Sequence, residues 1–157
     1  MAEVRKIAGI TVAKYERPAD IEFGKIGRLF GLRAGNLGVG IQMISKNGGE
    51  TNLHAHPASD SVWVVLKGKA NFYGMNDAFV GEIGPAEGVA IPKGVPYWFE
   101  NAGEEPLEIY HITSKDPTTQ VRETRVNYSS FTENQLTKGK KNGRPASEEE
   151  KTAAAAL

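Results

Sequence analysis

Short apolar runs broken by glycine, proline and asparagine set the pattern of this chain. Val, Ile, Leu, Phe and Tyr recur in brief segments from residue 26 to residue 113. The pattern predicts strands over 26–32, 37–45, 51–56, 61–66, 69–73, 79–83, 88–91, 97–101 and 107–113. Turn chemistry separates them: Arg33-Ala34-Gly35-Asn36, Lys46-Asn47-Gly48-Gly49, Gly74-Met75-Asn76-Asp77, Pro92-Lys93-Gly94 and Ala102-Gly103-Glu104-Glu105-Pro106. No convincing helical period occurs before residue 115. Many short strands at this spacing imply an all-β fold, an antiparallel sandwich or barrel.

The 157 residues suit one domain with a real core, and the 39% hydrophobic content is enough to fill it. Nineteen basic residues balance nineteen acidic ones, so no global field draws nucleic acid or anionic membrane. The absence of cysteine excludes disulfides, thiolate catalysis and zinc-thiolate sites. The longest apolar run, 62–66, is far short of the roughly 20 residues of a membrane-spanning helix. Residues 1–6 carry an acid and do not resemble a secretory signal, so the expected location is cytoplasmic.

After Pro117 the composition shifts. Val121, Val126, Tyr128 and Phe131 can pack on the barrel or on a partner subunit, whereas 138–151 is charged and expected to be weakly ordered. The alanine run at 153–157 stays out of the fold argument. The division expected is an arm over 1–24, a barrel over 25–117 and a partly disordered extension over 118–157.

The chemistry concentrates at His54-Ala55-His56, which holds two of the three histidines. Side chains alternate along a strand, so both imidazoles point to one face and can chelate a divalent metal.

Around this pair the chain resembles the cupin superfamily. Its first motif runs glycine, five residues, His-x-His, three or four residues, glutamate, six residues, glycine. Gly48, His54, His56 and Gly68 stand in register with it, but Ser61 occupies the glutamate position. The second motif runs glycine, five residues, Pro-x-Gly, two residues, histidine, three residues, asparagine. Pro92, Gly94 and Asn101 fit, while Ala86 replaces the glycine and Tyr97 the histidine. The resemblance covers roughly 37–117. It implies a single-domain antiparallel jelly-roll barrel with its site inside, commonly dimeric. It also implies a divalent metal (Fe, Mn, Zn or Ni), with a metal-free site as the alternative.

Of the four usual ligands, two imidazoles remain. Asp60 completes a two-histidine, one-carboxylate set if a bulge turns it inward, although strict alternation points it away from the face of Ser61. Tyr97, a phenol of ordinary pKa near about 10, is a weak ligand or a proton donor. His111 shares a face with Leu107 and Ile109 and can supply a third imidazole. Each has a plainer reading: Tyr97 and His111 as core residues, Asp60 as a turn residue. Trp63 and Phe99, with Gln42 and Ser61, are expected to wall a substrate pocket; Arg33 is a further polar residue for the mouth. Trp98 alternates out of phase with Tyr97 and Phe99, which suggests a subunit interface and hence a homodimer. Glu104-Glu105 and the lysines of 138–141 read as solvated surface.

The functional expectation is a small metal-dependent enzyme acting on a small organic molecule. The metal polarises a substrate oxygen or binds dioxygen, and Tyr97 and His111 are the catalytic candidates. Loss of the carboxylate ligand ranks isomerase, lyase or cyclase-type proton transfer above dioxygenation. The alternative is a non-catalytic barrel that binds a small molecule without metal, or an accessory protein. No nucleic-acid or membrane partner is expected.

Overall fold

The computed structural model describes residues 3–19, 26–46, 48–49, 52–119, 125–128, 140–141 and 144–145. Two antiparallel sheets face one another across an apolar core. The first joins β3 (Ile26–Ala34), β4 (Leu37–Ile44), β6 (Ser59–Lys67), β9 (Gly88–Ile91) and β11 (Leu107–Lys115) in the order β3-β4-β11-β6-β9. The second joins β7 (Ala70–Tyr73), β8 (Phe79–Ile83) and β10 (Trp98–Asn101) in the order β10-β7-β8. The short β5 (His54–Ala55) pairs with β12 (Val126–Asn127). The all-β jelly-roll expected from the sequence is the fold observed.

Alternation decides what the core receives. Along β11, Leu107, Ile109, His111 and Thr113 share one face; their partners on β6 include Val65, Trp63 and Ser61. That face meets Ala70, Phe72 and Phe99 from the other sheet and Tyr97 just ahead of β10, and Ile44, Val65, Leu107 and Ile109 close the cluster. The aromatics interlock: Trp63 and Phe72 each lie 4.9 Å from Phe99 between ring centroids. Burying a large apolar side chain is worth about 1.5–3 kcal/mol, so this cluster is the main store of stability.

The opposite face of the first sheet is not bare. Glu108 is only 5% exposed there, and Arg17 and Tyr15 of the N-terminal segment both reach it. Burial first, and then the bond to Glu108, push the Tyr15 phenol up to about 12. The arm expected over 1–24 thus contains an anchor, and ahead of it a hairpin, β1 (Glu3–Ile7) and β2 (Ile10–Lys14), that the apolar pattern did not announce.

Trp98 does face away from the barrel core, but it is no open interface. It is fully buried, stacked on Tyr73 at 4.1 Å, with its indole N–H donating to Asp77. Leu53 completes this second cluster. The interface reading of Trp98 is corrected: the chain covers its own tryptophan.

Within the extension, Val126 pairs with Ala55 and the Tyr128 N–H donates to the Leu53 carbonyl. Of 138–151, only Lys140–Lys141 and Arg144–Pro145 are described, as a paired β13 and β14; Val121 and Phe131 lie outside the described residues. Among the described residues no helix is long and apolar enough to cross a membrane.

Candidate functional site

The turn before β5 is pressed against β10. At Gly49, where φ is +151°, a Cβ would lie 2.4 Å from the Phe99 carbonyl oxygen, so only glycine fits. The Asn101 N–H donates to the Gly48 carbonyl, which ties the two sequence motifs together. The next contact places the chemistry. His54 and Tyr97 form a backbone bridge, His54 N to Tyr97 O at 3.1 Å and Tyr97 N to His54 O at 2.8 Å. Directly paired residues share a face, and the two rings lie 4.5 Å apart.

His54 is fully buried, and its Nδ1 lies 2.6 Å from the Asn52 carbonyl oxygen. A carbonyl only accepts, so Nδ1 carries a proton and donates it there. Asn52 was not singled out from the sequence; it acts through its backbone, which no residue type signals. His56 is half-buried beside His54, ring centroids 5.1 Å apart and planes at 86°.

His111 is on the inner face opposite Trp63 and stacks flat on it, 3.8 Å between centroids and 1° between planes. Its Nε2 is 3.2 Å from Ser61 Oγ, and its ring lies 6.4 Å from that of His56. Ser61 and His111 thus pair with each other across β6 and β11. The Trp63 indole N–H is buried without a hydrogen-bond partner among the described residues.

Asp60 does not turn inward. It is exposed, and its carboxylate accepts from the Lys93 N–H at 2.9 Å, capping the turn after β9. Strict alternation places it outside, opposite Ser114, and no bulge intervenes there. Among the described residues no three His, Asp or Glu side chains group so as to hold a metal.

Gln42 is on the inner face opposite Ile109, 4% exposed, with its Oε1 buried and without a hydrogen-bond partner among the described residues. Phe99 is fully enclosed between Trp63 and Phe72. A cavity of about 140 Å³ does reach Tyr97, but Gln42, Ser61, Trp63 and Phe99 do not line it; Phe72, Val80, Val89, Ile91 and Val95 do.

Comparison with known proteins agrees with the architecture. Residues 40–113 match the family model described as a cupin domain. No curated protein matches the chain significantly. A conserved Klebsiella pneumoniae protein with a double-stranded β-helix domain aligns at TM-score 0.56 and 18% identity, over 72% of this chain and 90% of that one. The Schizosaccharomyces pombe Cnp3 cupin domain aligns at TM-score 0.53 and 12% identity, over 73% and 88% of the two chains. A cupin superfamily protein of Desulfitobacterium hafniense aligns at 0.52 and 15%, over 66% and 94%. At these identities the likeness is one of fold.

Proposed function

We propose that this chain, which matches the cupin-domain model over residues 40–113, acts as a small cupin-type protein on a small organic molecule at a centre made by His54, His56 and Tyr97. The observation that carries this reading is the bond from His54 Nδ1 to the Asn52 carbonyl. An imidazole that hands one N–H to a backbone acceptor is fixed in ring orientation and tautomer, with the other nitrogen basic. That is the usual support of a metal-binding histidine.

The fold family implies a divalent metal, and the donor set decides what kind of site the chain offers. His54 and His56 give two adjacent imidazoles, which suit zinc, nickel or iron better than the harder manganese. Asp60 is turned to Lys93, so the residues fit a two-imidazole centre and not one with a carboxylate. When bound, such a metal supplies Lewis-acid polarisation of a substrate oxygen.

The remaining chemistry belongs to the chain. Tyr97, 4% exposed and beside His54, holds a proton at its phenol oxygen and serves as the general acid or base. His111, aligned by Trp63 and Ser61, bounds the far side of His56. Trp63, Phe72 and Tyr97 belong to the apolar core beside the centre, and the lower local dielectric strengthens each polar contact there. A centre without a carboxylate favours proton transfer of isomerase, lyase or cyclase type over oxygen chemistry.

A second reading has its own observation. Ser61, at the ligand position of the motif, is within hydrogen-bond distance of His111. A barrel in which the histidines bond each other and a ligand, with no metal, fits that pairing. Titration with Co²⁺ separates the two. The metal reading expects visible absorption bands that saturate near one equivalent and vanish in His54→Ala; an unchanged spectrum favours the binding barrel.

A further inference from the structure

The cavity beside Tyr97 lies where the two sheets part. β8 is an edge strand of one sheet and β9 an edge strand of the other. Val80 of β8 faces Val89 and Ile91 of β9 across the gap, with Val95 at the rim and Phe72 and Tyr97 deeper in. A bulge where β7 pairs with β8 leaves Val80 without a partner in the ladder, which turns it to this gap. No charged side chain lines the space. Its floor is continuous with the core through Val89 and Ile91, and with the centre through Tyr97, whose ring is 4.5 Å from that of His54.

We infer that this slot between β8 and β9 is a binding site for a compact apolar group, a phenyl ring or a branched alkyl chain of similar size. The volume of about 140 Å³ sets the size. An enclosed apolar cavity of roughly 150 Å³ admits benzene or xenon, so a space of this size suits such a group. The walls are almost wholly apolar and offer a sugar or a phosphate too few hydrogen-bond partners to replace its water. Val80 and Val95 are 62% and 44% exposed, so the slot opens to solvent at the rim. The site then recognises a two-part molecule: an apolar body in the slot and a polar head past Tyr97, toward His54 and His56. The placement of the head rests on the proposed function; the apolar body does not.

Benzene titrated into the isotope-labelled full chain, followed by amide NMR shifts, tests the slot directly. The expected result is saturable shifts centred on Val89, Ile91, Val95 and Tyr97. Val80→Trp, at an exposed rim position, should weaken binding at least tenfold, and Ala90→Trp serves should that variant fail to fold. Ile10→Trp, on the distant hairpin, should bind like the parent. Shifts that never saturate, that gather on β1 and β2, or that survive both rim substitutions would overturn the inference. The same titration in a His54→Ala, His56→Ala variant separates the two readings. Benzene binding kept there, with metal absent from the parent, would leave the slot standing and the metal centre fallen. Metal bound without benzene binding would do the reverse.

Discussion

His54 and Tyr97 are partners across one backbone bridge, their two hydrogen bonds 3.1 and 2.8 Å long and their rings 4.5 Å apart. One residue comes from the His-x-His segment and the other from the segment after Pro92-Lys93-Gly94, more than forty positions later in the chain. The bridge puts a phenol beside an imidazole whose tautomer is already set by Asn52. The proposed centre of His54, His56 and Tyr97 depends on that pairing.

Restoring a carboxylate where the motif has lost it should strengthen the centre. Ser61→Glu places an acid on the inner face of β6, and Zn²⁺ or Ni²⁺ affinity is expected to rise at least tenfold by calorimetry. Asp60→Asn, on the outer face, should leave that affinity unchanged and cost about 1 kcal/mol of stability through its weakened bond to Lys93. The opposite order of effects would mean that Asp60, not Ser61, faces the histidines.

Trp98 should behave as a core residue. Trp98→Ala removes a fully buried indole stacked on Tyr73 and is expected to cost about 3–5 kcal/mol by denaturant unfolding. A variant of unchanged stability and altered oligomeric state would restore the interface reading.

Stability should fall in strong alkali, in part through one phenol. Tyr15 ionises at 10.0 in its ordinary state and at about 12 in the fold. The fold therefore favours the protonated form. Its contribution is complete below pH 10.0 and is lost as pH rises to about 12. Tyr15→Phe should flatten that part of the stability profile and cost about 0.5–1.5 kcal/mol near neutrality by losing the bond to Glu108. An equally steep alkaline fall in the variant would refute the assignment.

The strand pattern was legible because period-two alternation and turn residues are local signals. The strands over 61–66, 79–83 and 88–91 follow from them directly. The shared face of His54 and His56 followed from the same rule, as did the outward direction of Asp60 and Trp98. What covers a face is not local. Trp98 read as exposed because Leu53 and Tyr73 reach it from other parts of the chain. The stacking of His111 on Trp63 needed the register of β6 against β11, and the slot needed the bulge that turns Val80. The carbonyl of Asn52 has no signature in sequence, since every residue has one.

Metal content, measured by elemental mass spectrometry on untagged protein beside a His54→Ala, His56→Ala variant, tests the central claim most directly. The account predicts near-stoichiometric zinc, nickel or iron in the parent, or uptake of one equivalent on incubation, and none in the variant. Absence of metal from both after incubation with excess divalent ions, or equal metal in both, would contradict it.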